Sequence, residues 1–282
     1  MCKYIDLHVH STASDGTYAP AALVDLAIRQ QLCAIAITDH DSIDGIKEAQ
    51  TAALHTDLEV IPGVELSTEY EGCEIHVVGL YIDPEHPALK KQLSDFRNLR
   101  DNRNVLMAER LAQEGFAITY EALAESFPDC VLTRAHIARY LLNTGQVKSL
   151  SEVFDKYIGD GCKCYIDRPK VSPMEAVSLI HQAGGLAFLA HPCLYKLKRK
   201  ELLLLLDNMQ AAGLDGIEAI YSCNQGSDEK DFCQLANERG LLVSGGSDFH
   251  GSNKPYIKLG TGKGTLKVTY NLLEQIRQRL VN

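Results

Sequence analysis

The stretch Asp6-Leu7-His8-Val9-His10-Ser11 sets two histidines one residue apart in an apolar alternation. On a β-strand, residues i and i+2 point to the same face, so His8 and His10 can present their imidazoles side by side as a chelating pair. One such pair is as simply explained by two packed core histidines. The chain, however, repeats the event. His40 follows the apolar run 33–38, Glu65 ends a third run and His76 lies in a fourth. His191 ends a fifth run, Asp248 and His250 end a seventh, and Asp15 sits in the loop after the first. Imidazole and carboxylate groups are ligands for divalent transition metals. Polar groups gathered this way would be costly in a core without partners, and metal ions would supply those partners.

Strands and helices must place these groups. Alternation or short apolar runs predict strands over residues 4–10, 33–38, 58–65, 74–79, 186–190, 216–221 and 241–244. Helices are expected over about 20–30, 43–55, 172–183 and 270–280. Pro20 stands at the start of the first, and Ser172-Pro173-Met174-Glu175 forms a capping box at the third. Apolar strands alternating with helices argue for parallel βα units, and seven of them for a closed or nearly closed barrel. In such barrels the functional groups sit at the C-terminal ends of the strands.

Composition narrows the function. The 282 residues carry a net charge of −9, with 45% hydrophobic and 23% charged residues. A nonspecific binder of long nucleic acid would usually be basic. No run is long enough to cross a bilayer, and the first residues lack the apolar core of a secretory signal, so a cytoplasmic location is expected. The nine cysteines are expected to be reduced thiols.

The motifs "DLHVHSTASDGT", "AITDHDSIDG", "PGVELS", "IHVVGLYID", "AHP" and "GSDFHG", in this order, resemble the PHP (polymerase and histidinol phosphatase) family of metal-dependent phosphoesterases. The resemblance covers Met1 to about Pro87 and about Ser172 to Gly262. It is strongest to the stand-alone members that act on nucleotide phosphates, the 3′,5′-bisphosphate nucleotide 3′-phosphatases and the related 5′→3′ exoribonucleases. It implies an α/β fold, a distorted (β/α)7 barrel with a helical insertion, and three divalent metal ions, Mn, Fe or Zn. His8, His10, Glu65 and Asp248 would hold the first ion. Asp15, His40 and His250 would hold the second, and His76 and His191, with a bridging Glu65, the third. Asp248 and His191 are the catalytic candidates, with Asp248 steering the attacking water. Asp6, Asp39 and Asp41 stand beside ligands, either as imidazole partners or as turn residues.

From about Pro87 to Asp167 the βα rhythm stops and only helices are expected, so residues 88–167 form the expected cap and residues 1–87 with 168–282 the barrel. Thr133 reads as the N-cap of a helix ending near Gly145. Arg134 and His136 in its first turn run against the helix dipole, and a phosphate there would resolve the conflict. With the resemblance of "TRAHIAR" to the nucleotide phosphatases, Arg134, His136 and, more weakly, Arg168 and Lys163 are assigned to a substrate phosphate. The expected reaction is hydrolysis of the 3′-phosphate of a nucleoside 3′,5′-bisphosphate. The alternatives are a 5′→3′ exonuclease on short RNA, a histidinol-phosphate phosphatase, and a metal-binding regulatory module.

Overall fold

The computed structural model describes residues 3–128, 130–167, 171–195 and 197–281. The chain divides into two compact units, Met1–Lys91 with Lys170–Asn282, and Gln92–Pro169. In chain order the elements of the first unit begin with β1 (Tyr4–Val9), α1 (Pro20–Arg29), β2 (Leu32–Ile37), α2 (Ile46–Ala52), β3 (Glu59–Tyr70) and β4 (Cys73–Leu80). The helical segment comprises α3 (Pro87–Gln113), α4 (Tyr120–Ser126), α5 (Arg134–Asn143) and α6 (Leu150–Val153). The first unit resumes with α7 (Pro173–Gln182), β5 (Leu186–Leu189), α8 (Arg199–Ala211), β6 (Gly216–Tyr221), α9 (Asp228–Glu238), β7 (Leu242–Gly246) and α10 (Tyr270–Val281).

The seven strands form one sheet in sequence order. Beyond β7 the chain returns to β1: the His10 N–H donates to the Phe249 carbonyl at 3.0 Å, and the Asp248 N–H to the His8 carbonyl at 2.9 Å. The sheet is therefore a nearly closed barrel. Closure demands a close approach, because a Cβ on Gly246 would lie 2.4 Å from the Cβ of His8. Only glycine fits there.

The expectation of parallel units throughout fails at β4. This strand runs antiparallel to both β3 and β5. A two-residue loop, Glu71-Gly72, joins β3 to β4, and both residues have positive φ, 49° and 77°. That is the geometry a tight hairpin requires. The reversal matters for position. It brings the first half of β4, with His76 opposite Ser67, to the end of the barrel where the parallel strands finish.

β1 shows how sequence makes both the core and the site. Ile5 and Leu7 join the apolar core with Ala34, Ala36, Ile61, Leu80, Phe188 and Val268. Asp6, His8 and His10, on the other face, are equally buried. The helical segment has its own core, around Met107, Leu111, Leu123, Ile137, Leu141 and Val153. The stripe Leu89, Leu93, Phe96 is buried, as helical spacing requires. Arg97 is exposed, whereas Arg100 and Arg103 are buried, and Arg103 forks onto the Asn104 side-chain Oδ1 at 2.8 and 3.3 Å. No helix among the described residues is long and apolar enough to cross a membrane. The eight cysteines among the described residues are free thiols.

Candidate metal centre

Glu65 is the hub of the site. It is fully buried near the middle of β3, and five imidazoles surround its carboxylate. Oε2 lies 3.0 Å from His40 Nδ1, 3.2 Å from His10 Nε2 and 3.3 Å from His8 Nε2. Oε1 lies 2.7 Å from His76 Nδ1 and 2.8 Å from His191 Nε2. Around this hub, Asp248 Oδ1 is 3.3 Å from His10 Nε2 and 3.2 Å from His250 Nδ1. Asp15 Oδ1 is 3.3 Å from His250 Nε2 and 3.9 Å from both His40 Nε2 and His10 Nδ1. All nine residues picked out by the strand-end pattern thus fall in overlapping groups whose donor atoms lie within 4.8 Å of one another.

Hydrogen bonding does not account for this crowding. Glu65 Oε2 and His40 Nδ1 are buried and close, yet neither has a hydrogen-bond partner among the described residues. The Nε2 atoms of His8 and His10 stand 3.1 Å apart. Two neutral ring nitrogens facing each other share at most one proton, and a carboxylate has about four lone-pair positions. Five nitrogens around one carboxylate, with His40 Nδ1 and Glu65 Oε2 left without a bond, are the arrangement of ligand atoms converging on shared cations. Borderline nitrogen and hard oxygen donors suit divalent transition metals. The buried His, Asp and Glu clusters are consistent with a multi-metal site.

The charges agree. Burial works against ionisation of Glu65, and the imidazoles of His40, His76 and His8 overcome it, holding the carboxyl well below its usual range. Burial likewise opposes protonation of His76, but Glu65 and Glu74 raise its pKa to about 10. Burial, reinforced by the charges of His250 and His40, lowers His10 to about 4.

Neighbouring residues aim the ligands. Glu218, on β6, faces His8 Nδ1 at 3.0 Å through Oε1. Its Oε2 accepts the His191 backbone N–H at 2.7 Å. A proton held on Nδ1 leaves His8 Nε2 to face Glu65, an orienting contact typical of metal sites. His250 Nδ1 donates to the Asp248 carbonyl at 2.9 Å, turning Nε2 toward Asp15. Asp248 Oδ2 accepts from the Tyr221 hydroxyl and the Lys254 ammonium, both at 2.6 Å, so Oδ1 faces the histidines. Sequence reading did not single out Tyr221 or Lys254, which reach Asp248 from β6 and from the loop after β7. His191 and Asp248 have φ of 25° and 57°, sparsely populated for side-chain-bearing residues. Such strain collects at functional sites.

The other acids near the ligands, Asp6, Asp39 and Asp41, bond backbone and hydroxyl groups of neighbouring segments. Asp6 accepts backbone N–H groups of Ser247 and Gly260, each at 2.8 Å. Asp39 binds the backbone N–H and hydroxyl of Ser11 and the hydroxyl of Ser14. Asp41 accepts the Ser67 N–H at 2.9 Å. Each of these bonds joins segments distant in sequence and so ties together the loops that carry the ligands.

In the helical segment Thr133 caps α5. The Thr133 N–H donates to His136 Nδ1 at 3.0 Å, closing a capping box with histidine in the place usually held by Glu or Gln. With Nδ1 accepting this bond, Nε2 is the ring's donor. Arg134 pairs with Asp160 at 2.6 Å, and its guanidinium lies 5.5 Å from the Tyr165 ring centre. Lys163 pairs with Glu114. Arg168 lies outside the described residues.

Residues 6–159 match the PHP domain family. The chain belongs to the PHP family. A 5′-3′ exoribonuclease of Haemophilus influenzae is 39% identical to this PHP protein over 251 residues, covering 89% of this chain and 91% of the relative. A 3′,5′-nucleoside bisphosphate phosphatase of Chromobacterium violaceum is 37% identical over 248 residues, 87% of each chain. The solved structure of a candidate metal-dependent phosphoesterase from Bifidobacterium adolescentis matches with a TM-score of 0.88 and 30% identity, covering 98% of this chain and 96% of that one. The protein is a metal-dependent phosphoesterase, a hydrolase of the PHP family.

Proposed function

We propose that this PHP phosphoesterase hydrolyses the 3′-phosphate of a nucleoside 3′,5′-bisphosphate, using three divalent ions held around Glu65. The carrying observation is the buried hub of five imidazoles around Glu65, joined by Asp15, Asp248 and His250. Support for the substrate comes from the named activity of the Chromobacterium relative. His8, His10, Glu65 and Asp248 would hold one ion, Asp15, His40 and His250 another, and His76 and His191, with Glu65, the third. Bound there, such ions would lower the pKa of a water to near neutrality and offset the negative charge of the phosphate.

The residues of the chain supply placement. Tyr221 and Lys254 fix Asp248 with Oδ1 inward, where it orients the attacking water. Glu218 holds His8 and the backbone of His191 together, so the strand ends β1 and β5 keep one spacing. Arg134 binds the phosphate that is not cleaved, as a cation held by Asp160 and Tyr165. His136 offers its Nε2–H to the same anion.

The Haemophilus relative's name favours a second reading, 5′→3′ removal of nucleotides from short RNA. Phosphate and nucleotide release after reconstitution with Mn, Fe or Zn distinguishes them. The substrates are adenosine 3′,5′-bisphosphate, adenosine 5′-monophosphate, histidinol phosphate and a 5′-phosphorylated trinucleotide. The bisphosphate is expected to be the best substrate, and preference for histidinol phosphate would overturn the nucleotide reading.

A further inference from the structure

Several residues of the centre are aimed by a partner on the side chain, as Glu218 aims His8 and as Tyr221 and Lys254 aim Asp248. His191 differs: its Nδ1 is buried and has no hydrogen-bond partner among the described residues. What holds it is the peptide unit before it. The His191 N–H donates to Glu218 Oε2 at 2.7 Å, and the Ala190 carbonyl of the same unit accepts from the Tyr195 hydroxyl at 2.6 Å. A peptide unit is planar, so fixing both ends fixes the direction in which His191 leaves the strand.

The Tyr195 hydroxyl also holds the neighbouring strand. β4 and β5 pair antiparallel with Val77 opposite Leu189, which puts His76 opposite Ala190. In a hydrogen-bonded pair of such a ladder the two residues exchange both N–H···O bonds. Here the Ala190 N–H donates to the His76 carbonyl at 3.1 Å. The return bond is interrupted. The His76 N–H donates at 3.0 Å to the Tyr195 hydroxyl, which in turn donates to the Ala190 carbonyl. A single oxygen is thus wedged into the last rung between the two strands. Beside the wedge stand the imidazoles of His76 and His191, with ring centres 5.2 Å apart at 73°. Both face Glu65 Oε1, at 2.7 and 2.8 Å. The Tyr195 ring packs against His191 with 5.9 Å between centres.

We infer that Tyr195 is a positioning residue of the metal centre: its hydroxyl, wedged between β4 and β5, sets the spacing of His76 and His191 and so the affinity of the ion they would hold with Glu65. The inference rests on the three-ion reading of the centre and adds to it a residue that is not a ligand. Without the hydroxyl, the His76 N–H and the Ala190 carbonyl either close on each other, drawing the strand ends together, or stay unbonded at a cost. Both outcomes shift His191 relative to His76. The other ligand groups are carried by β1, by the ends of β2 and β7 and by the loop after β1, so the loss falls on one ion of the three.

The test is Tyr195→Phe, which removes the hydroxyl and keeps the ring. Mn bound per protein is measured by equilibrium dialysis against a chelator-buffered Mn series, with the melting temperature of the metal-free protein read alongside. Tyr70→Phe, which removes a hydroxyl that accepts from Asn208 Nδ2 at 2.9 Å, is the control. Wild type and control are expected to bind three ions. Tyr195→Phe is expected to bind one of the three about 10–100-fold more weakly, the loss typical of an outer partner of a metal site, with the other two unchanged. A hydroxyl that served the fold alone would lower the melting temperature and leave the three affinities as they were, or weaken them together. Either result would overturn the inference while the three-ion reading stands. A wild type that saturates at fewer than three ions would overturn that reading and the inference with it.

Discussion

The Glu65 cluster and the start of α5 both gather histidine and charge in buried surroundings, but the protein completes only one of them. At α5 the Thr133 N–H meets His136 Nδ1, and Arg134 meets Asp160. At Glu65 the ring nitrogens of His8 and His10 face each other, and Glu65 Oε2 and His40 Nδ1 lack hydrogen bonds. A buried polar group with a well-placed partner costs folding little, so the start of α5 is stable with or without a ligand. Buried polar atoms that converge without bonding cost free energy that folding does not recover, and a bound cation removes that cost.

The contrast can be broken most forcefully at the hub. Glu65→Gln is expected to lower both metal content and phosphate release by more than about 100-fold, beyond the ~10–100-fold seen when an outer partner of a metal site is lost. Elemental analysis and a phosphate assay read the two, and a fully metallated variant would break the contrast. Glu218→Gln replaces no proposed ligand, but it weakens the acceptor that orients His8. Metal affinity by competition with a chelator should fall by about 10–100-fold, with the fold intact.

Protonation sharpens the comparison. In the metal-free protein the His76 pKa is raised to about 10, so the ring is protonated at neutral pH. Its pairing with Glu65 then stabilises the metal-free fold fully below the unfolded value of about 6.5, and that contribution is lost as pH rises through 10. Metal must displace this proton, so affinity falls as pH is lowered below 10. Calorimetry in buffers of different ionisation enthalpy should show at least one proton released per protein on metal binding; no release would contradict the assignment of His76. The smallest effect belongs to α5. His136→Ala should cost about 1 kcal/mol of stability by denaturant unfolding, whereas His136→Gln, able to close the same capping box, should cost less. Neither should change metal content.

Much of this was legible in the sequence because the signals were local. β1 shows its two faces as alternating letters, and Pro20 and the Ser172–Glu175 box mark helix starts that the structure keeps. The nine residues chosen from the strands and the loops after them lie together in the barrel, and for His8 and His10 the shared direction follows from strand spacing alone. The direction of β4 was missed because the βα rhythm was extended over it. The Glu71-Gly72 loop carried the opposite signal, a hairpin too short for a crossover. The place of Glu218 could not be read, because its bond to His8 spans 210 residues and depends on how β6 and β1 face each other across the barrel. Lys254 was equally hidden, reaching Asp248 from a loop with no periodicity. The capping bond of His136 was hidden as well, because the sequence pattern of a capping box has Glu or Gln in that place.

The central claim is that Glu65 bridges a cluster of bound metal ions. Anomalous diffraction from crystals grown with Mn tests it most directly. The expected map has three peaks around the Glu65 carboxylate, one beside His8, His10 and Asp248, one beside Asp15, His40 and His250, and one beside His76 and His191. A map with no anomalous peak within bonding distance of Glu65, at Mn concentrations that support phosphate release, would contradict it.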